Sequence, residues 1–215
     1  MRYLIVIALL CTWATTPASA QSTLPSRTQG ISSWVAFERT WANVSSYSAT
    51  VAIFEREGLQ VQSSVLDYTF HKPSSATVHF IAGKNKGVTV VWDGGNTVVA
   101  HRGSGLFGLF TKTFALHDPE VTTVRGSSID QLSFAAMLAH LQATPGTVTQ
   151  APSVPILGIP TETVTLVATS PIADTGLTSE SIEFAIPMGL PLRILGYEGA
   201  TIVRQIDFSN IELQP

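Results

Sequence analysis

The chain has 215 residues, of which only 13% are charged, and its formal net charge is −3 at pH 7. Soluble domains carry about 25% charged residues, so this composition predicts either a large core or apolar surface that faces a ligand or a membrane. The sequence contains no basic block, which argues against nucleic acid as a partner.

Residues 1–20 have the pattern of a secretory signal peptide. Arg2 supplies a short positive region, an apolar run extends from Tyr3 to Trp13, and Pro17 to Ala20 form a small-residue end. We predict cleavage after Ala20, because small residues at these positions are what a signal peptidase requires. The apolar run is shorter than the roughly 20 residues that span a bilayer, which argues against a membrane anchor.

Cleavage would remove Cys11, the only cysteine of the chain. The mature protein, residues 21–215, could then form no disulfide and could offer no sulfur ligand to a metal. Its length is sufficient for one domain that folds on a hydrophobic core alone.

Apolar periodicity predicts one helix followed by strands. Trp34, Phe37 and Trp41 recur on one face of a helix over residues 31–44. The period then changes to two, which is typical of strands. Five strands are predicted, at residues 47–56, 61–71, 76–82, 88–92 and 97–102. The short turns between them favour an antiparallel meander.

The second half of the chain is less regular. The glycine-rich apolar stretch Gly103 to Phe110 matches no element, and residues 129–142 are predicted as a helix with Ser128 at its N-cap. The prolines between Pro145 and Pro160 predict a loop. Four further strands are predicted, at residues 162–169, 179–186, 192–197 and 200–213, the last with a bend near Ser209.

Motifs of catalysis and metal binding are absent from the sequence. There is no G-x-S-x-G, and the stretch from Gly83 to Gly87 lacks the spacing of a phosphate-binding loop. No two of the five histidines stand at a metal-ligand spacing; they are His71, His79, His101, His117 and His140. Ser104 lacks a strand-turn-helix context. The sequence therefore predicts a protein that is not an enzyme and that has no cofactor and no metal.

The order of several short motifs resembles the periplasmic lipoprotein carriers of the LolA type and their LolB-like relatives. Tyr47-Ser48-Ala49 opens a strand after the amphipathic helix, and the next strand ends in a basic residue before a proline. The other stretches with this resemblance are Leu66 to Pro73, Val90 to Val98, Ser181 to Ile186 and Gly189 to Arg193.

This resemblance implies an α+β fold in which one strongly curved antiparallel sheet, a half-barrel, has helices covering its concave face. It implies a periplasmic monomer that carries an acyl chain, a lipid or a lipoprotein between inner- and outer-membrane proteins. Lys72 matches the position where the carriers have an arginine that helps to close the lid. A lysine cannot form the bidentate fork of an arginine.

Strand alternation then predicts which side chains line the cavity. If Lys72 points inward, the alternate residues before it on the same strand do so too, and the facing strands add four more. The predicted lining residues are Leu66, Tyr68, Phe70, Lys72, Val78, Phe80, Val90 and Trp92. The alternative is that these residues pack against the helices as ordinary core.

Two other functions stay open at the level of the sequence. An interaction module on the same fold, such as an envelope sensor that binds a membrane regulator, would have a similar pattern. A hydrolase whose site is assembled from distant residues would leave no local motif.

Overall fold

The computed structural model describes residues 32–103, 110–172 and 175–215. The predicted signal peptide, with its cleavage site after Ala20, lies outside the described residues. So do residues 104–109 of the glycine-rich stretch.

The first half of the chain is one helix followed by a row of strands. Helix α1 spans Ser32–Ala42 and buries Trp34 and Phe37, as its apolar face predicts. The strands are β1 Ser46–Glu57, β2 Gln60–His71, β3 Ser75–Gly83, β4 Val88–Trp92, β5 Thr97–Arg102 and β6 Phe110–Ala115. The five strands predicted in this region are confirmed, and β6 is additional.

The second half returns to the sheet after a short helical region. A 3₁₀ helix at Ile129–Leu132 precedes helix α2, Phe134–Ala143. Ser133 divides the predicted helix, because its hydroxyl accepts a hydrogen bond of 3.0 Å from the N–H of Ala136 and so begins α2 anew. The strands that follow are β7 Gly146–Ile156, β8 Ile159–Ala168, β9 Ser179–Ala185, β10 Pro191–Glu198 and β11 Thr201–Gln214.

All eleven strands form one antiparallel sheet in the order β6-β5-β4-β3-β2-β1-β11-β10-β9-β8-β7. Each half of the chain is a meander, and the pairing of β1 with β11 joins the two halves. The sheet is curved and open, with β6 and β7 at its edges. The predicted α+β fold, a curved antiparallel sheet with helices, is confirmed.

The predicted loop between Pro145 and Pro160 is wrong, because most of it forms β7. Pro152 and Pro155 lie within this strand, which pairs only with β8. An edge strand tolerates proline, since one side of it has no partner that needs an N–H donor. The predicted irregularity near Ser209 is present: the pairing of β11 with β1 shifts there, and Asn210 has a φ of 51°.

The hydrophobic core lies between the helices and one face of the sheet. Alternate residues of β1, from Tyr47 to Ile53, are buried, and Trp34, Phe37 and Phe134 are fully buried beneath the helices. The ring of Phe37 lies 5.6 Å from that of Phe134 and 5.6 Å from that of Phe184 on β9. None of the helices in the described part of the chain is long and apolar enough to span a membrane.

Candidate binding cavity

Three cavities lie beneath the segment that links β6 to α2, residues 116–133, which we call the crossover segment. The central cavity has a volume of about 50 Å³ and lies between the crossover segment and strands β1 to β4 and β11. Apolar side chains form most of its wall, including Ile53, Leu66, Val78, Phe80, Ile129 and Ile206.

Two larger cavities flank the central one. The helix-side cavity, of about 170 Å³, is lined by α2 and by strands β9, β10 and β11. The outer cavity, of about 230 Å³, lies against strands β3 to β6 at the edge of the sheet. An apolar cavity of about 150 Å³ is large enough to hold benzene, so both flanking cavities have room for an organic group.

The three cavities share walls and so form one row. Ser127, Leu132 and Ile206 line both the central and the helix-side cavity. The residues common to the central and outer cavities are Phe80, Asn85, Val90 and Val121. A ligand in this row would therefore lie along the sheet face, with its middle in the narrow central cavity.

Four of the eight predicted lining residues come together in the central cavity: Leu66, Val78, Phe80 and Val90. Three others are buried outside the linings of these three cavities. The hydroxyl of Tyr68 donates to the carbonyl of Ile129 at 3.4 Å, and burial raises the pKa of Tyr68. Phe70 packs on Trp41 with ring centroids 5.8 Å apart, and the indole N–H of Trp92 donates to the carbonyl of Gly95 at 2.7 Å.

Lys72, the eighth predicted residue, contacts helix α1 instead of a cavity. Its Nζ lies 4.2 Å from the centroid of the Trp41 ring and donates to the Trp41 carbonyl near the end of α1. A cation is favourable at this end of a helix. Partial burial lowers the pKa of Lys72. Lys72 thus fixes α1 to the end of β2, and its role as a lid residue stays a prediction.

Sequence reasoning missed Glu55, a fully buried carboxylate in the wall of the central cavity. Glu55 accepts hydrogen bonds from the N–H of Arg125 at 3.2 Å and from the hydroxyl of Ser127 at 2.8 Å. The alternation that places Val51 and Ile53 inward extends to Glu55, so the strand pattern contained this signal.

The guanidinium of Arg125 makes the crossover segment's second set of polar contacts. It donates to the carbonyl of Arg56 at 2.7 Å, to the carbonyl of Thr175, and to Glu198 at 2.5 Å. Its side chain is only 4% exposed. Arg125 therefore ties the crossover segment to the end of β1, to the end of β10 and to the loop before β9.

An ion cluster lines the helix-side cavity. Glu180 on β9 is 3% exposed and accepts hydrogen bonds from Nε2 of His140 on α2 and from the guanidinium of Arg204 on β11. Burial alone would raise the pKa of Glu180, but the hydrogen bond from His140 and the positive charge of Arg204 outweigh it, and the pKa is lowered. These residues are far apart in the sequence, so no spacing could have revealed the cluster.

The described residues contain no group of three or more histidine, cysteine, aspartate or glutamate side chains that could hold a metal. Nδ1 of His140 also lies 3.3 Å from the hydroxyl of Thr144. Thr144, His140 and Glu180 are thus arranged as a hydroxyl, an imidazole and a carboxylate in series. However, Thr144 is not among the residues that line the helix-side cavity. Ser104, the serine considered in the sequence, lies outside the described residues.

No family model and no curated protein matches this chain. Among solved structures, a LolA superfamily protein of Nitrosomonas europaea is similar over 86% of this chain and 94% of that chain, with a TM-score of 0.40 and 8% identity. The lipoprotein LppX of Mycobacterium tuberculosis is similar over 83% of this chain and 92% of that chain, with a TM-score of 0.45 and 12% identity.

A third similar structure is the MucA/MucB complex of Pseudomonas aeruginosa, which matches over 85% of this chain and 57% of that chain, with a TM-score of 0.41 and 12% identity. A protein of the LolA superfamily, the family that the motif order resembles, is thus among the similar solved structures. At these identities and TM-scores, neither a function nor a residue's role is transferred from these structures to this chain.

Proposed function

We propose that this protein is a non-enzymatic carrier that holds an acyl chain, from a lipid or an acylated protein, in the row of three cavities. The observation that carries this proposal is the sharing of apolar walls between the cavities, with Leu132 and Ile206 on one side of the central cavity and Phe80 and Val90 on the other. A linear apolar ligand matches this shape better than a compact one.

The energetics of an acyl chain suit reversible transport. Burial of one methylene is worth about 0.8 kcal/mol, so a chain of about 15 methylenes gains roughly 12 kcal/mol on leaving water. The same chain is already surrounded by hydrocarbon in a membrane, so its transfer from membrane to cavity is close to balanced. Loading and release then need no covalent chemistry, which agrees with a non-enzymatic role in the periplasm between inner- and outer-membrane partners.

The narrow central cavity defines how loading occurs in this proposal. A volume of about 50 Å³ is too small for a full acyl chain, so the crossover segment moves away from the sheet as the chain enters. Polar contacts hold the segment at Arg125, through Glu55 and the carbonyl of Arg56, and at Ile129, whose carbonyl accepts from Tyr68. Apolar contacts of Ile129 and Leu132 add to them. Replacing these apolar contacts with contacts to the acyl chain keeps the cost of opening low.

The test is native mass spectrometry of the exported protein, followed by organic extraction and by uptake of the fluorescent fatty acid cis-parinaric acid. Phe80→Asp places a charge in the wall of the central and outer cavities. Ile81→Asp is the matched control, because Ile81 is the next residue on β3 and is 37% exposed. We expect bound lipid and probe uptake to be lost in Phe80→Asp and kept in Ile81→Asp, with both variants folded by circular dichroism.

A wild-type protein that carries no lipid and takes up no fatty acid would overturn the proposal. An interaction with a membrane regulator that does not depend on lipid would then favour the interaction module. Turnover of an ester that is lost in His140→Ala would instead favour the hydrolase.

A further inference from the structure

The outer cavity has positive charge at the end formed by Arg102 on β5 and the turn at residues 84–87, which we call its mouth. Val98 is buried, so alternation along β5 places Arg102 on the same face, and Arg102 lines the outer cavity. On β6, Phe110 pairs with Arg102 and Lys112 pairs with Ala100. Arg102 therefore lines the outer cavity beside apolar side chains of β3 to β6 and beside the polar residues Asn85, His101, Lys112 and Glu120.

Arg102 differs from Lys112 in lacking a counter-charge. Both carboxylate oxygens of Glu120 accept hydrogen bonds of 3.0 Å from Lys112. Among the residues that the structure describes, Arg102 has neither an ion pair nor a hydrogen-bond partner for its side chain. The guanidinium is thus available to a ligand.

Two further cations lie in the turn that adjoins Arg102. Lys84 and Lys86 are exposed residues of the turn between β3 and β4, and Val88 at the end of this turn pairs with Arg102. Neither lysine has an acidic partner within the described ranges. Asn85, between them, lines both the central and the outer cavity. The mouth of the outer cavity therefore concentrates unneutralised positive charge.

At the opposite end of the row, in the helix-side cavity, the positive charge is already neutralised. Arg204 in the helix-side cavity is already paired with the buried carboxylate of Glu180. A negatively charged ligand group would compete there with an existing ion pair. The charge distribution thus gives the row a direction, with an open cationic end at β5 and β6.

We propose that the mouth of the outer cavity binds the anionic head group of the cargo, a carboxylate or a phosphate, through Arg102 with support from Lys84 and Lys86. The acyl chain then passes Phe80 and Val90 into the central cavity. A guanidinium matches the planar fork of a carboxylate or the oxygens of a phosphate, and its charge strengthens the hydrogen bonds. This inference rests on the proposed carrier function and adds the class of ligand and its orientation.

The test compares cis-parinaric acid with its uncharged methyl ester in fluorescence titrations of the full exported protein at low ionic strength. For the wild type, we expect the acid to bind about tenfold more tightly than the ester, as a charge-assisted hydrogen bond in a partly exposed site provides. Arg102→Gln should lower the affinity for the acid to about that for the ester, so that this preference is lost. Arg39→Gln, an equal charge change at an exposed position of α1, should keep the preference.

Competition experiments then separate the two sources of the anion. Displacement of the acid by dodecyl phosphate more than by dodecanoate would identify a phosphate head group, and the reverse would identify a carboxylate.

Equal affinities for acid and ester in the wild type, or equal losses in Arg102→Gln and Arg39→Gln, would overturn this inference and leave the carrier function standing. A wild-type protein that binds neither probe would overturn both.

Discussion

The carboxylate of Glu55 on β1 accepts a hydrogen bond of 3.2 Å from the backbone N–H of Arg125 in the crossover segment. Glu55 is fully buried, and a buried carboxylate is costly unless hydrogen bonds compensate it. The hydroxyl of Ser127 supplies the second bond, at 2.8 Å. This relationship fixes the crossover segment over the central cavity at one defined point, so the stability of the fold and the closure of the cavity depend on the same side chain.

We predict that Glu55→Leu lowers the free energy of unfolding by about 2–4 kcal/mol, because the N–H of Arg125 and the hydroxyl of Ser127 each lose a buried acceptor. Glu55→Gln should lose less, since its amide oxygen still accepts one bond. Urea denaturation of both variants measures the difference. A Glu55→Leu protein as stable as the wild type would contradict an anchoring role for Glu55.

The stack of Tyr47 on Phe134 gives a second prediction. The two rings are 4.1 Å apart and 4° from parallel, and the Tyr47 hydroxyl accepts from the N–H of Phe134 at 3.3 Å. The same hydroxyl donates to the carbonyl of Leu132 at 3.4 Å. Phe134→Ala should cost about 3–5 kcal/mol through the cavity it leaves, and Tyr47→Phe only about 1–2 kcal/mol through the two lost hydrogen bonds. Thermal unfolding of the two variants ranks them, and the reverse order would show that the hydroxyl matters more than the ring packing.

Local periodicity predicts most strands of the sheet. It does not predict a residue's role where that role depends on neighbours that are distant in the sequence. The strands β1 to β5 alternate cleanly, so their bounds were predicted to within a residue or so. Strand β7 was missed because its prolines indicate a loop unless the strand is known to lie at an edge. No local pattern indicates that the first strand pairs with the last, since their residues are far apart in the sequence.

The sequence likewise indicates only part of the candidate site. Leu66 and Phe80 lie on the face that contains the central cavity, but strand alternation does not distinguish cavity wall from core. Tyr68 lies on the same face and is covered by Ile129 of the crossover segment. Because the crossover segment has no strand or long helix before residue 129, its position over the sheet depends on contacts such as Glu55 with Arg125, which the sequence does not display.

Gly189 provides a test of how α1 packs on the loop before β10. Its φ is 67°, and a Cβ built on it would lie 2.4 Å from the backbone nitrogen of Phe37. Gly189→Ala should therefore destabilise the protein by about 2 kcal/mol or more, from backbone strain together with displacement of α1. Gly199→Ala is the matched control, because Gly199 has a φ of 59° and no atom near that Cβ position. Its cost should be about 1 kcal/mol. Equal melting temperatures for the two variants would rule out close contact between α1 and this loop.

Glu180 makes the stability of the fold depend on pH. Burial raises its pKa, but the hydrogen bond from His140 and the charge of Arg204 lower it by more, so the folded protein holds this carboxylate ionised at a pH where the unfolded chain protonates it. Its contribution is fully present above the unfolded pKa of about 4.3 and is lost as the pH falls through the lower folded value. Glu180→Gln should be less stable than the wild type at neutral pH, because His140 and Arg204 lose a charged partner, and the gap should narrow in acid. Urea midpoints for both proteins from pH 7 downward measure this gap. A gap that stays constant with pH would show that Glu180 is not held ionised by these two neighbours.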